Sequence, residues 1–237
     1  MLLFKSLSEL FFDNFYGKDG KNLSLIFTGL GNTLLITTLA ILFGICIGSV
    51  FGLIRVSYLR AERKTWWMRI LNGVAQVYIT VIRGTPVALQ LLIIYMVVFK
   101  FQGPALLIGG LAFGINSGGY VAEIIRAGVS AVDRGQTEAG LSLGLSSATI
   151  MSRIVAPQAL KNILPALGNE FIAVLKETSI LSMVSVMDLT FASQQIIAIT
   201  RDYMFNLCMT ALMYLAIVLL LTYLLKLLER RLAKSDK

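Results

Sequence analysis

The chain has 237 residues, of which 57% are hydrophobic and only 14% are charged, and its mean hydropathy of +0.78 is typical of a membrane protein. Its formal net charge of +8 comes from Lys and Arg residues that lie mostly between long apolar runs, which fits loops beside anionic lipid rather than a nucleic-acid-binding surface. Both cysteines stand inside apolar runs and histidine is absent, so neither a disulfide framework nor a metal or haem site is expected.

The N-terminal segment, residues 1–22, predicts an interfacial helix outside the membrane rather than a secretory signal peptide. It contains Glu9 and Asp13 and has no continuous apolar stretch. Its apolar residues fall on one helical face, as in a helix at the membrane surface: Leu3, Leu7, Leu10, Phe11 and Phe15.

Five apolar runs follow, and each predicts a transmembrane helix. The first, residues 22–54, has no charge and would form about 50 Å of helix, which exceeds a hydrocarbon core of about 30 Å. The second, residues 70–99, contains one charge. Either this span begins near Ile70 with Arg83 at membrane depth, or residues to about Ile82 lie along the surface and Arg83 stands at the membrane boundary. The other runs cover residues 101–122, 163–187 and 203–225.

Basic residues mark the cytoplasmic side of these spans. They follow the first run, where Trp66 and Trp67 indicate the headgroup level, and they recur between the third and fourth runs and in the C-terminal tail, residues 232–237. In the N-terminal segment, lysines are balanced by acidic residues. The positive-inside rule therefore predicts an outside N-terminus, five spans and a cytoplasmic C-terminus.

The third run is rich in glycine, and a polar stretch separates it from the fourth run. Glycine at this density indicates close helix approach or irregular backbone that lines a cavity. The polar stretch predicts two short helices, because Gly144 can end the first in a left-handed conformation and Ser146 or Ser147 can cap the second. The second helix carries an apolar stripe that would pack on the protein's own spans, on lipid or on a partner: Ile150, Met151, Ile154 and Val155.

The spacing in this polar stretch resembles the EAA motif of permease subunits in bacterial ABC importers, EAA-x3-G-x9-I-x-LP. Gly140 replaces the third alanine, which predicts a slightly looser turn, and Ala156 replaces leucine, which trims the docking face. The resemblance implies that residues 135–160 form a coupling segment that docks into a separate ATP-binding cassette subunit. The coupling residues would be Glu138, Ala139, Gly140, Leu141, Gly144, Leu145, Ile154 and Pro157.

Four further segments resemble, in the same order, the polar amino-acid permeases of the histidine and glutamine type. They are residues 28–57, 83–95, 116–129 and 157–180. The resemblance implies an all-α membrane protein of the bacterial cytoplasmic membrane, with the five-helix core of a type I ABC importer permease over residues 23–231. It also implies a second permease subunit, identical or different, and an extracytoplasmic substrate-binding protein.

Charged residues at membrane depth are functional candidates, because each costs several kcal/mol unless it is paired or solvated. The fourth run carries Glu170, Lys176 and Glu177. Either Lys176 pairs with Glu177 and holds subunits together, or this helix lines the substrate pathway. An amino acid needs an acceptor for its ammonium group and a donor for its carboxylate, which Glu170, Lys176, Thr178 and Ser179 could supply.

Glu170 also bears on selectivity. In many of the permeases that this chain resembles, glutamine occupies the matching position, so Glu170 is an extra carboxylate. A carboxylate in the pathway predicts a cationic substrate such as arginine or lysine. In the alternative, Glu170 is neutralised by Arg83 or by Lys176 of the partner subunit and does not meet substrate.

The second run is interrupted before Pro86, because proline removes a backbone donor and frees the carbonyl of Ile82. Either this is a kink with a snorkelling arginine, or Arg83 and Thr85 contact substrate. Four further polar residues have structural or pathway roles. Glu123 and Arg126 are predicted to form a structural pair, and for Gln90 and Asn116 both roles stay open.

The sequence contains no phosphate-binding loop of the form GxxxxGK[ST], so the chain is not expected to hydrolyse ATP or to be an enzyme. No cofactor is expected, since ATP would be used by the partner subunit. Two other functions compete with the importer interpretation. An ion-coupled secondary amino-acid transporter would use Glu170 and Glu177 as ion carriers but leaves the polar stretch unexplained. A non-transporting scaffold would not need the charges of the fourth run.

Overall fold

The computed structural model describes residues 9, 11–17, 20–61 and 63–234, without the side chains of residues 233 and 234. Every regular element in these ranges is helical. The predicted interfacial face is only partly covered, because Leu3, Leu7 and Leu10 lie outside the described residues. Phe11 and Phe15 of that face stack with ring centroids 4.9 Å apart, beside a π-helical turn at Phe12–Tyr16.

The described chain is a succession of helices joined by short connections. In chain order they are α1 (Lys21–Arg60), α2 (Trp66–Gly84), α3 (Val87–Leu92), α4 (Ala105–Ser130), α5 (Arg134–Ser142), α6 (Ser147–Ile150), α7 (Ala156–Glu177), α8 (Leu189–Thr200) and α9 (Tyr203–Lys234). Irregular helical turns extend three of them: π-helical Ile93–Val98 after α3, π-helical Met151–Val155 after α6, and the 3-10 helix Thr178–Val184 after α7.

Helices α1, α4 and α9 are each long and apolar enough to cross a membrane. Helix α2 and the segment Val87–Val98 meet the same criterion only as a pair, which is bent by 105° at the break between them. The fourth predicted span corresponds to α7 and its 3-10 extension, and α7 contains Pro165 together with charged and amide side chains. By the length and composition of the described helices, three could span a membrane, or four if the bent pair is counted as one span. The count of five spans stays a prediction.

The second apolar run is divided at Thr85 and Pro86, as the proline position predicted. Two helices that meet at 105° cannot both follow the membrane normal. The bend does not decide between the two interpretations of Arg83, whose guanidinium lies beside the Tyr120 ring in the middle of α4. Both its placement at membrane depth and its placement at the membrane boundary stay predictions.

Reciprocal glycine stripes let α1 and α4 approach each other closely. A Cβ atom added at Gly48 would lie 2.6 Å from the Cβ of Val121, and one at Gly110 would lie 2.7 Å from the Cβ of Leu39. Such contacts exclude larger side chains and bring the two backbones together, as in the small-residue motifs of membrane helix pairs. The stripes recur every four residues: Gly44, Gly48 and Gly52 on α1, and Gly110, Gly114 and Gly118 on α4.

Two buried apolar clusters flank this helix pair along its length. One joins α1 and α4 to α3 and the 3-10 segment, through residues such as Ile36, Leu91, Phe113 and Leu181. The other lies at the C-terminal ends of α1 and α4 and includes residues of α6 and α7. Helix α4 therefore contributes to the packing of both halves of the protein.

We expect Gly48→Ala to destabilise the protein by about 1–3 kcal/mol, because the added methyl group meets Val121 and the carbonyl oxygen of Gly118. Gly31→Ala is the matched control in the same helix, since its added methyl group meets no described heavy atom within 4 Å. Alanine raises helix propensity equally in both variants. Thermal unfolding of the purified protein in detergent measures the effect, and equal melting temperatures for the two variants would contradict the close contact.

Candidate functional site

The polar stretch after α4 forms the two short helices that the sequence predicts, here called the elbow (residues 134–155). Helix α5 ends at Gly144, whose φ of 75° is left-handed. The N–H of Leu145 donates to the carbonyl of Gly140 at 3.1 Å, and the N–H of Gly144 donates to the carbonyl of Leu141 at 2.9 Å. These two bonds form a Schellman motif, so Gly144 has the predicted role of ending the helix.

Side chains cap the N-termini of both elbow helices. The Asp133 carboxylate accepts a hydrogen bond from the N–H of Gly135 at 2.6 Å. The Ser146 hydroxyl accepts one from the N–H of Thr149 at 3.2 Å, which selects Ser146 between the two predicted caps. Asp133 was not predicted, although an aspartate just before a helix is a sequence signal for a cap.

The apolar stripe of the elbow packs inside the protein. Ile150 is 1% exposed and Val155 is fully buried, and both contribute to the cluster at the ends of α1 and α4 with Val56 and Val129. Ile154 is partly buried. Of the three predicted alternatives for this stripe, packing on the protein's own spans is the one observed, and it anchors the elbow to α1 and α4.

The opposite surface of the elbow is exposed and partly apolar. Leu143 is 80% exposed, Leu141 49% and Leu145 37%. Glu138 and Ala139 are exposed beside them. Six of the eight predicted coupling residues are exposed, and large apolar side chains among polar neighbours mark an interaction surface.

Gly140, where this chain departs from the EAA motif, has a packing role that the sequence did not predict. A Cβ atom added there would lie 2.8 Å from Cγ1 and 2.9 Å from Cδ1 of Ile150. Gly140 is buried, and its carbonyl closes the end of α5. The glycine lets α5 lie directly against α6, and the slightly looser turn stays a prediction.

The side chain of Gln90 closes the break between α2 and α3. Its amide nitrogen donates to the carbonyl of Ile82 at 2.8 Å and to the hydroxyl of Thr85 at 2.7 Å. The carbonyl of Ile82 is the one that Pro86 leaves without its backbone donor. The amide oxygen of Gln90 accepts from Asn116 of α4 at 2.9 Å. Gln90 and Asn116, whose roles the sequence left open, therefore hold the break together.

Two charged candidates of the substrate pathway, Glu170 and Arg83, contact residues 116–120 of α4. The Ser117 hydroxyl donates to the Glu170 carboxylate at 2.8 Å. The Arg83 guanidinium carbon lies 5.2 Å from the centroid of the Tyr120 ring, a cation–π distance. Glu170 of α7 and Arg83 of α2 thus lie on the same stretch of α4, which we call the polar junction (Arg83, Thr85, Gln90, residues 116–120 and Glu170).

The remaining pathway candidates lie at the end of α7. Thr178 is fully buried and donates to the carbonyl of Leu175 at 2.7 Å. Ser179 donates to the carbonyl of Lys176 at 2.8 Å, and Lys176 is exposed. Both hydroxyl groups satisfy local backbone carbonyls, so the structure does not bring these three residues into the polar junction.

The predicted pair of Glu123 and Arg126 is present near the end of α4. Nε and Nη2 of Arg126 donate to the two carboxylate oxygens of Glu123 at 2.9 and 2.5 Å. A bidentate pair one helical turn apart is a strong charge-assisted contact. The geometry agrees with the structural role that the sequence predicted.

Comparison with known proteins identifies the family. Residues 44–234 match the family described as the binding-protein-dependent transport system inner membrane component. The chain belongs to this family. The putative glutamine transport system permease protein GlnP of Rickettsia bellii is 38% identical over 86% of this chain and 90% of its own length. The arginine transport system permease protein ArtQ of Bacillus subtilis is 36% identical over 89% of this chain and 94% of its own.

Solved structures agree with this assignment. A chain from the crystal structure of an amino acid ABC transporter with histidines is 43% identical, covers 89% of this chain and 95% of its own length, and superposes with a TM-score of 0.80. An inward-facing methionine ABC transporter, MetNI, shares the fold at a TM-score of 0.71 with 18% identity. The predicted all-α importer permease fold is therefore confirmed, as are the membrane location and the function of an ABC importer permease subunit. The ion-coupled alternative is not favoured.

We expect Gln90→Leu to lower the free energy of unfolding by about 1–3 kcal/mol, because it leaves the buried Asn116 amide and the Ile82 carbonyl without partners. Asn116→Leu should add little once Gln90 is already replaced, since the two side chains share one bond. The double-mutant cycle is measured by thermal unfolding, with exposed Gln102→Leu as the control. Strict additivity of the two single changes would contradict the proposed contact.

Proposed function

We propose that this protein is the permease subunit of an ATP-driven importer that carries polar amino acids across the bacterial cytoplasmic membrane. The observation that carries the proposal is the match over nearly the whole chain to the chain of an amino acid ABC transporter with histidines. Relatives named for glutamine and arginine transport support the same class of cargo. The choice among amino acids rests on the polar junction.

The energy for transport would come from a separate ATP-binding cassette subunit docked on the elbow, and the permease itself would need no cofactor and catalyse no reaction. The exposed leucines of α5 and its C-terminal turn support this role, because a rigid apolar surface can insert into a cleft. Anchoring by Ile150 and Val155 would pass movement of the elbow to α1 and α4. A substrate-binding protein would deliver cargo from outside, and a second permease subunit, identical or different, would complete the pathway.

In the proposed topology, the N-terminus lies outside, five spans follow, and the elbow and C-terminus face the cytoplasm. Single-cysteine labelling with a membrane-impermeant reagent tests this arrangement in whole cells. We expect cysteines at Asp19 and Lys100 to react from outside and cysteines at Arg63 and Arg134 to be protected until the cells are opened. Labelling of the cysteine at position 134 in intact cells would show that the elbow lies outside, which contradicts the proposed topology.

We expect Gly144→Val to leave membrane insertion and dimer formation intact but to separate ATP hydrolysis from uptake. A β-branched residue at a φ of 75° costs about 1–2 kcal/mol or distorts the turn, which would misalign the exposed leucines. Gly144→Asn is the matched control, because asparagine tolerates the left-handed conformation. The assay is the reconstituted complex with binding protein, and normal substrate-stimulated hydrolysis and uptake in Gly144→Val would show that the elbow does not couple them.

Two accounts of substrate selectivity differ in the role that they give to Glu170. If its carboxylate faces the pathway and stays ionised, it favours cationic amino acids, because a charge pair in a partly desolvated cavity is stronger than in water. The contact with Ser117 uses one carboxylate oxygen, and Arg83 lies on the same stretch of α4. In the second account, Arg83 or Lys176 of the partner subunit neutralises Glu170, and the residue is structural.

We expect Glu170→Gln to reduce uptake of arginine and lysine selectively while sparing glutamine. Competitive uptake in proteoliposomes measures this, with melting temperature as a check on folding. Equal loss for every substrate together with a lower melting temperature would favour the structural account. Unchanged arginine and lysine uptake by a folded variant would remove Glu170 from selectivity.

A further inference from the structure

An open groove lies between the C-terminal end of α1 and the start of α2, and none of the residues that line it belongs to the elbow or the polar junction. It has a volume of about 250 Å³. Apolar and aromatic side chains dominate its lining, which includes Leu53, Ile54, Ser57, Tyr58, Trp67 and Leu71. Leu53 and Trp67 remain 57% and 50% exposed, so the groove opens to the surface of the protein.

A side-chain bridge ties together the two helices that form the groove. The Arg55 guanidinium on α1 donates to the amide oxygen of Asn72 at 2.9 Å and to that of Gln76 at 3.2 Å, both on α2. Asn72 is buried. These bonds therefore link the two helices that form the groove.

Positive charge lies at one end of the groove. The Lys64 ammonium is 4.9 Å from the centroid of the Tyr58 ring, which itself lines the groove. Arg63, just before Lys64 in sequence, and Arg69, shortly after it, are also exposed. Trp66 is 74% exposed next to them, and exposed tryptophan beside basic residues is typical of the headgroup level of a membrane. The groove thus combines an apolar lining with one cation, Lys64, beside it, and further cations close to it in sequence.

We propose that this groove binds an anionic glycerophospholipid, with one acyl chain between α1 and α2 and the phosphate group beside Lys64. The apolar lining suits an acyl chain, and basic pockets at the cytoplasmic ends of membrane helices suit anionic headgroups. A second copy of this chain fits less well. A two-fold contact through this face would bring the same cations of both copies together.

The purified full chain in neutral detergent allows a direct binding test by native mass spectrometry. It is titrated with phosphatidylglycerol, with phosphatidylcholine of the same acyl chains, and with glycerol phosphate as the headgroup alone. We expect saturable binding of phosphatidylglycerol that is at least about fivefold tighter than that of phosphatidylcholine, and no retention of glycerol phosphate. Equal affinity for the two lipids would overturn the proposal.

Two pairs of variants locate the site. Lys64→Gln should weaken phosphatidylglycerol binding about fivefold, whereas Lys226→Gln, at an exposed lysine of α9, should not. Ser57→Phe should fill the groove and abolish binding, whereas Thr38→Phe, at an exposed position of the same helix, should leave it intact. If Ser57→Phe does not fold, the lysine pair decides alone. An equal loss in both lysine variants, or a change of oligomeric state with unchanged lipid binding, would contradict the proposed site.

Discussion

The close approach of α1 and α4 is the contact on which the rest of the structure depends. It exists because glycines recur every four residues on both helices, so that side chains of each fill the gaps of the other. With α1 fixed on one side, α4 presents Asn116, Ser117 and Tyr120 to α3, α7 and α2. Loss of these contacts would leave polar groups without partners inside a helix long and apolar enough to span a membrane, where each unpaired group is costly.

Helix α4 also joins the two parts of the candidate site. Its middle carries the polar junction, and its C-terminal end packs against the elbow through the cluster that includes Val129 and Ile150. The bidentate pair of Glu123 and Arg126 lies between them. Because packed helices shift between discrete arrangements rather than deform continuously, a displacement of the elbow is expected to reach the polar junction through α4.

Features that depend on local backbone chemistry could be predicted from the sequence. Gly144 ends α5 because only a residue that tolerates positive φ closes that turn, and Ser146 caps the next helix by its own hydroxyl. Pro86 breaks the second apolar run because it lacks a backbone donor. The family resemblance, carried by the EAA-like spacing and four further segments, gave the fold and the importer function that the comparisons confirm. Features that depend on which distant residues meet could not be predicted. The carbonyl freed by Pro86 is satisfied by Gln90, and Gly140 packs against Ile150 across the turn.

The central claim is that ATP hydrolysis, transmitted through the elbow, drives amino-acid movement past α4. Uptake of radiolabelled amino acids into sealed vesicles, with ATP supplied on the elbow side and binding protein on the other, measures this directly while ionophores dissipate proton and sodium gradients. The account predicts that uptake continues at full rate as long as ATP is hydrolysed and stops with a non-hydrolysable analogue. Uptake that collapses with the ion gradients, and persists without ATP hydrolysis, would contradict it.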